Sequence, residues 1–283
     1  MRLQFVFLLI ACLVFMTAPL HPAFAAAGRD FRNSDGNLDL PDCASAQAWM
    51  KTVNGRVASD DQLRIVMSAY LCAKSGEAQS ARRLLDLADS APTLPDRDLF
   101  GEAQRIKVLL ALGENEQAGK PLREVSRETL AALRKHPADA ELQLIASVLQ
   151  RLNDQLAAHL RAVQPAMAIE HQMYAADAHE LAGEFGLIDM ASLYHLVALE
   201  IALESRLLDA SIEISRRVFA LHARHPTLSN RAEAHTVAYA VSLLLDAGRE
   251  TDALALTREL MATGWPDAEK YAKPFLHHLE RAR

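Results

Sequence analysis

Residues 62–89 read QLRIVMSAYLCAKSGEAQSARRLLDLAD, and they show the helical pattern of this chain most clearly. Apolar residues recur three or four positions apart on both sides of the short polar segment Ser75-Gly76-Glu77. That spacing places them on one face of an α-helix, and the glycine suits a left-handed residue just after a helix end. The segment therefore predicts two amphipathic helices joined by a tight turn, with Ala81 allowing the second helix to pack closely.

The same polar turn recurs along the chain. SGEAQSA at 75–81 is followed by LGENEQA at 112–118 and AGRETDA at 247–253. LNDQLA at 152–157 and GLIDMA at 186–191 are predicted to be degenerate copies. The closing alanines mostly recur at intervals of roughly 30 to 40 residues, a range that is typical of helical-repeat arrays.

Composition places the chain in the all-α class. Alanine, leucine, arginine and glutamate dominate, glycine and proline number 11 each, and no segment shows sustained alternation of apolar and polar residues. Alanine, leucine, arginine and glutamate are good helix formers. A half-buried strand would require alternating apolar and polar residues, which this chain lacks. No linker divides the part of the chain after residue 40, so residues 41–283 are predicted to form one helical domain.

The charge balance disfavours two classes of partner. The chain carries 30 lysines and arginines against 36 aspartates and glutamates, a net charge of −6. Nucleic acids and anionic membrane surfaces are bound through basic surfaces, which this balance does not supply.

These patterns resemble the tetratricopeptide repeat family. Residues 62–95 match its packing positions best, whereas 99–125 and 234–266 match less fully, with departures at Arg105, Ile106, Val241, Thr257 and Leu260. The positions matched in residues 62–95 are Ile65, Ala69, Cys72, Gly76, Ala81, Leu85 and Ala88. The resemblance covers most of the chain after residue 40. It implies an α-solenoid of antiparallel helix pairs, a right-handed superhelix with a concave groove that binds peptides or protein segments.

The resemblance also implies which side chains would line that groove. Carried over position by position, they are Leu63, Val66, Tyr70, Lys74, Phe100, Ala103, Lys107, His235, Ala238 and Ser242. Among them Tyr70, Lys74, Phe100 and Lys107 are expected to touch a partner, because aromatic area and charge dominate binding energy. The alternative is that these residues are ordinary core or exposed helix positions.

The N-terminus predicts export. A basic start at Arg2 is followed by the apolar run 3–16 and by small residues around the Ala25–Ala26 bond, which is the pattern of a secretory signal peptide over residues 1–25. A second cleavage site follows Ala27. The apolar run is shorter than the roughly 20 residues of a membrane span, so no span is expected after cleavage. Retention as an anchor, or lipidation at Cys12, are the alternatives. Residues 26–40 are polar and predicted to be a flexible lead-in.

Two cysteines remain after cleavage, and they are candidates for a disulfide. Cys43 lies near the start of a helix opened by Pro41-Asp42 and ended by Asn54-Gly55. Cys72 lies near the end of the next helix, which residues 59–62 open with a capping-box pattern. Each lies roughly 16–20 Å from the shared turn, so antiparallel packing would bring them level. In an oxidising compartment such a pair bonds, and two buried free thiols are the alternative.

No motif for catalysis or metal binding stands out. His179-Glu180 begins like H-E-x-x-H, but Gly183 replaces the second histidine. His222 and His225 have metal-ligand spacing but lie at a helix end, where histidines more often cap carbonyls. No phosphate loop and no nucleophile elbow occur. Neither a metal nor a cofactor is predicted, and the chain is not expected to be an enzyme.

The leading hypothesis is a periplasmic or secreted scaffold or assembly factor that binds a partner segment in a helical-repeat groove. A role in neutralising a toxin would look the same in sequence. The rival hypothesis is an enzyme, or a small-ligand or metal receptor, with a pocket lined by His171, His179 and His195.

Overall fold

The computed structural model describes residues 31–33, 35, 37–53, 57–91, 98–228 and 231–281. This part of the chain is helical and contains no strand longer than a single bridge, which confirms the all-α prediction. The helices are α1 (Cys43–Met50), α2 (Gln62–Lys74), α3 (Ala78–Asp89), α4 (Leu99–Ala111), α5 (Asn115–Lys135), α6 (Ala140–Leu160), α7 (Pro165–Leu181), α8 (Ile188–Glu204), α9 (Leu208–Arg224), α10 (Arg231–Asp246), α11 (Glu250–Ala262) and α12 (Ala268–Arg281).

Several predictions about the N-terminus lie outside the described residues. These are the signal peptide over 1–25, its Ala25–Ala26 bond and the alternative at Cys12. The turn predicted at Asn54-Gly55 lies outside them as well. Within the described part of the chain, no helix combines the length and the apolar character needed to cross a membrane.

Four helix connections share one turn geometry. Residues 75–77, 112–114, 205–207 and 247–249 follow α2, α4, α8 and α10, and in each turn the third residue's N–H donates to a carbonyl five residues earlier. The Glu77 N–H, for example, lies 2.9 Å from the Cys72 carbonyl oxygen. The middle residue has positive φ in all four turns: Gly76, Gly113, Arg206 and Gly248. The three glycine turns predicted from sequence are therefore confirmed, and Arg206 adds a fourth.

The two degenerate copies were predicted wrongly. Residues 152–157 lie inside the continuous helix α6. The helix continues there because Leu152 and Leu156 are buried and Asn153, also buried, donates to Ser126 Oγ at 2.8 Å. At the second copy, Gly186 is extended, and the left-handed residue between α7 and α8 is Gly183, with φ +57°.

Helix packing follows chain order. All successive helices except α3 and α4 are in contact, and α3 and α4 are joined by the Arg105–Asp89 ion pair. Second neighbours also pack, as in α2–α4, α4–α6, α8–α10 and α10–α12. The largest apolar cluster runs from Leu38 to Leu279, and two smaller clusters lie around Leu133 and Leu221. The predicted packing residues of α2 and α3 all belong to the largest cluster: Ile65, Ala69, Cys72, Ala81, Leu85 and Ala88.

Residues 37–40 pack against the helices, unlike the flexible lead-in predicted over 26–40. Leu38 and Leu40 are 2% and 7% exposed. Arg64 donates to the Leu38 carbonyl, and Arg32 forms an ion pair with the buried Asp61 at 2.7 Å. The burial of Leu38 and Leu40 and the hydrogen bond from Arg64 therefore hold in place a segment whose polar composition had predicted flexibility.

The predicted Cys43–Cys72 disulfide is confirmed. It joins the first turn of α1 to the end of α2, with Cα atoms 4.7 Å apart. Asp42 begins α1 as expected, since its carboxylate accepts the Ser45 N–H at 2.6 Å. The capping box predicted at residues 59–62 does not form. A single 3₁₀ turn precedes α2 there, and no side chain caps the helix.

Candidate functional site

Exposed apolar side chains are unevenly distributed over the described helices. Among the residues that the structure describes, large apolar side chains with at least 40% exposure occur only on even-numbered helices and in two turns. Those on helices are Met67 and Leu71 of α2, Leu144 of α6 and Tyr239 of α10. Val163, Phe185 and Leu187 lie in the turns that flank α7. Three of the six even-numbered helices, α2, α6 and α10, therefore present exposed apolar side chains of the kind found at interaction surfaces.

Charged pairs join the odd-numbered helices to one another, and a similar pair, Arg161–Glu204, joins the end of α6 to α8. From α5 to α11, each odd-numbered helix is joined to the next by an arginine–carboxylate pair, and the paired residues are 43 or 44 positions apart. The pairs are Arg134–Asp177, Arg224–Glu180 and Arg216–Glu259. Because these arginines already have carboxylate partners, that surface is less suited to attract a ligand.

Two residues predicted to touch a partner meet between α2 and α4. Lys107 Nζ lies 4.0 Å from the centroid of the Tyr70 ring, within range of a cation–π interaction. Burial lowers the pKa of Lys107, and the positive charges of Arg151 and Lys74 lower it further. We call Tyr70, Lys74, Lys107 and Arg151 the basic cluster. It draws on three even-numbered helices, α2, α4 and α6.

The basic cluster has no counterion among the described residues. No carboxylate oxygen there lies within 4.0 Å of the side-chain nitrogens of Lys74, Lys107 or Arg151. The charges that act on Lys107 are both positive. Repulsion of this kind is unfavourable unless an anion relieves it, so the cluster is suited to bind a negatively charged group.

The other groove predictions have different surroundings. Phe100 is half-buried and packs against the apolar core. His235 is exposed on α10, with its ring edge-on to Tyr271 at 5.4 Å. The main contacts of α10 are with α8, α9, α11 and α12, so His235 does not join the basic cluster. Three further groove positions, Val66, Ala103 and Ala238, are buried, so the register carried over from the family fails at those positions.

The three histidines of the rival hypothesis have separate environments. His171 is buried, and its Nδ1–H donates to Asn153 Oδ1 at 2.7 Å. His179 stacks on Tyr194. His195 donates to the Ala191 carbonyl at 2.7 Å and lines a cavity of about 500 Å³. Of the three, only His195 lines that cavity, which also contains arginine and carboxylate side chains from α5, α7 and α9.

Sequence reasoning missed a buried cluster of Ser192, His222 and Glu233. The Ser192 hydroxyl donates to Glu233 Oε1 at 2.6 Å, and His222 Nε2 lies 3.2 Å from Ser192 Oγ and 3.5 Å from Glu233 Oε1. All three are at most 5% exposed. A serine nucleophile would donate to the imidazole, while the acid would hold the opposite ring nitrogen. Here serine and acid approach the same nitrogen, so this is not the arrangement of a serine hydrolase.

The described residues hold no group of three side chains placed to bind a metal. His222 contacts Ser192 and Glu233, whereas His225 Nε2 lies 3.4 Å from Glu180. The two histidines with metal-ligand spacing therefore have different partners.

Comparison with known proteins gives no relative to argue from. No family model, curated protein or solved structure matches the chain. The class that the fold defines is a helical protein whose helices pack in chain order through recurring turns.

Proposed function

We propose that this chain is an exported helical-repeat scaffold or assembly factor that binds an acidic segment of a partner protein on its even-numbered helices. The observation that carries the proposal is the basic cluster. Lys107 lies over the Tyr70 ring, the charges of Lys74 and Arg151 act on it, and none of the three cations has a described carboxylate within 4.0 Å.

The repeat interpretation is supported by the turns and the packing. Each of the four similar turns joins an even-numbered helix to the odd-numbered helix that follows it. The main contacts of each helix are with the next helix and the one after it. Arrays whose repeats contact only their neighbours behave this way, and they commonly use one helix of each pair for binding. In a superhelix of this kind the even-numbered helices would line the groove.

The disulfide supports export in addition to the predicted signal peptide. The disulfide between Cys43 and Cys72 persists in oxidising compartments and is rare in the cytosol. A pairing of this kind fits a protein whose first 25 residues read as a signal peptide.

The partner segment should combine negative charge with apolar side chains. Met67 and Leu71 are 52% and 40% exposed on α2, the helix that also carries Tyr70 and Lys74. Apolar contacts supply affinity, and charge complementarity supplies orientation and association rate. A segment with glutamate or aspartate beside leucine or phenylalanine satisfies both requirements.

The test is fluorescence anisotropy with a labelled peptide that alternates glutamate with leucine. We expect the mature protein to bind it, and to bind the same peptide with glutamine in place of glutamate at least tenfold more weakly. The variant Lys74→Glu/Lys107→Glu should lose the preference for the acidic peptide. The variant Lys51→Glu/Lys135→Glu has the same net charge and changes two exposed lysines elsewhere, so it should keep the preference.

Circular dichroism should show that both double variants keep their helix content. Equal affinity for the glutamate and glutamine peptides would count against the proposal. So would an equal loss of affinity in the two double variants, because that would reflect net charge rather than the basic cluster.

A further inference from the structure

A second site lies away from the basic cluster, at the ends of α9 and α11. A cavity of about 820 Å³ opens there beside the turn from α11 to α12. Its lining comes from α9, from α11 and from both following turns, and includes Arg216, Phe219, His222, Glu259, Trp265 and Pro266. The volume is in the range of small-molecule sites in proteins.

Aromatic rings form one side of this cavity. The Trp265 ring lies edge-on to Phe219, with centroids 5.5 Å apart, and edge-on to His222 at 4.9 Å. Trp265 is only 9% exposed and His222 only 4%, so the rings are held by their neighbours. A planar aromatic guest finds fixed edges and faces there, which favours stacked or edge-to-face contact.

His222 supplies the polar group of the site. Its Nε2 is occupied on the side away from the cavity, where it donates to Ser192 Oγ beside Glu233. Burial alone would raise the pKa of Glu233, but hydrogen bonds from His222 and Ser192 lower it overall, so this carboxylate is ionised and keeps the proton on Nε2. In the tautomer that donates from Nε2, the ring carries its lone pair on Nδ1.

The Nδ1 atom of His222 has no partner among the described residues. No described group lies within hydrogen-bond distance of it, the atom is not fully enclosed by protein, and His222 belongs to the lining of the cavity. An unpaired acceptor on a fixed ring that lines a cavity, beside two aromatic side chains, is a recognition element for a donor.

An ion is less suited to this cavity. Arg216 and Glu259 on its lining neutralise each other through a bidentate pair with N–O distances of 2.8 and 2.9 Å. Neither is free to select a charged ligand. Shape and a single hydrogen bond remain as the means of selection.

We propose that the cavity beside Trp265 binds a planar aromatic group with an N–H or O–H donor, which donates to His222 Nδ1. The group belongs either to a free small molecule, such as an indole or a phenol, or to a tryptophan or tyrosine side chain of a peptide. This site is independent of the proposed function, because it shares no residue with the basic cluster.

The test uses the mature protein and two isosteric probes. Indole carries the N–H donor, and benzofuran has the same shape without it. Isothermal titration calorimetry should show indole binding about tenfold more tightly, because benzofuran leaves a largely buried acceptor unpaired. In ¹H–¹⁵N spectra, the Trp265 side-chain N–H resonance, assigned with Trp265→Phe, should shift on addition of either probe.

Two variants localise the effect. In His222→Gln the amide nitrogen can still donate to Ser192 and Glu233, but no acceptor stands at the position of Nδ1. The indole-to-benzofuran preference should fall to about one. The matched control, His225→Gln, lies outside the cavity and should keep the tenfold preference.

Three results would overturn the proposal: equal binding of the two probes, no shift of the Trp265 resonance, or a preference that survives in His222→Gln. If His222→Gln does not fold, the proposal is tested on the unaltered protein by the relative affinities of indole and benzofuran and by the shift of the Trp265 resonance. Gly-Trp-Gly binding more tightly than indole would identify a peptide side chain as the guest, and the reverse order would identify a small molecule. Either order supports the site.

Discussion

Lys107 Nζ lies 4.0 Å from the centroid of the Tyr70 ring, although the two residues belong to different helices, α2 and α4. The ring stabilises the ammonium group, whereas burial and the charges of Arg151 and Lys74 destabilise it. Burial and these two charges lower the pKa of Lys107. A cation held at this cost, with no described carboxylate nearby, is better explained by binding of an anion than by stability of the fold.

The Cys43–Cys72 bond should stabilise the protein by about 3–4 kcal/mol, because it closes a long loop in the unfolded chain. Urea unfolding of the mature protein, compared with Cys43→Ser/Cys72→Ser, measures this difference. We expect α1 to exchange its amide hydrogens first in the variant, since few other contacts hold it to α2 and α3.

Thiol titration under denaturing, non-reducing conditions is the control for that experiment. The mature protein should show no reactive thiol. Two reactive thiols in protein isolated from its own compartment would contradict both the bond and the oxidising location.

Arg206 should be a site where glycine stabilises the protein. Its φ of +54° is unfavourable for any residue with a side chain, and the cost is roughly 1 kcal/mol. Part of the gain in Arg206→Gly is offset by the greater freedom of glycine in the unfolded chain, so we expect an increase of about 0.5 kcal/mol. The urea midpoint measures it.

Two matched changes should act in the opposite direction. Gly76→Ala places a side chain at φ +83° and should cost about 1 kcal/mol, although nothing lies within 4 Å of the added carbon. Ser205→Gly, next to Arg206 but at negative φ, should also destabilise. Stabilisation by Ser205→Gly would show that the turn geometry is not the cause.

His171 should make the fold sensitive to acid. Burial, helped by the charge of Arg123, lowers its pKa to about 4, whereas an unfolded histidine titrates near 6.5. Between these values the unfolded chain binds a proton that the folded chain excludes. The stability from this residue is therefore complete above pH 6.5 and declines as the pH falls towards 4, by up to about 3 kcal/mol.

Urea unfolding at pH 7 and pH 4.5 tests this expectation. His171→Asn should show a smaller difference between the two pH values than the unaltered protein does. His235→Asn removes an exposed histidine and should leave the difference unchanged. Equal pH dependence in all three proteins would exclude His171 as the cause.

The mature N-terminus should be Ala26, or Gly28 if the second cleavage site is used, because small residues flank both bonds. Intact-mass spectrometry of protein from the producing cell determines it. An intact Met1, or an acylated Cys12, would contradict export with cleavage.

The helices were predictable because their signals are local. Apolar spacing and a glycine such as Gly76 act within a few residues, and so the glycine turns and the all-α class follow from sequence. Arg206 adopts the same turn without glycine, between α8 and α9, which pack against each other. No local signal marks that position.

The sites were only partly predictable, because local sequence signals do not show which residues of different helices come into contact. Tyr70 and Lys107 were both named through the family resemblance, but Arg151 was not, since α6 continues through a segment that resembled a turn. Ser192 lies 30 residues before His222 and 41 before Glu233, the three belong to three different helices, and no spacing rule joins them. Only tertiary packing brings them together.

The most direct test of the proposed function is the pKa of the Lys107 amine, followed by NMR of the side chain with and without the glutamate–leucine peptide. Without peptide we expect a pKa below 10.5, because burial and two neighbouring cations disfavour the charge. With saturating peptide the pKa should rise, because carboxylates replace the missing counterions. A Lys107 pKa that does not change while the peptide is bound would show that the basic cluster is not where the acidic segment binds.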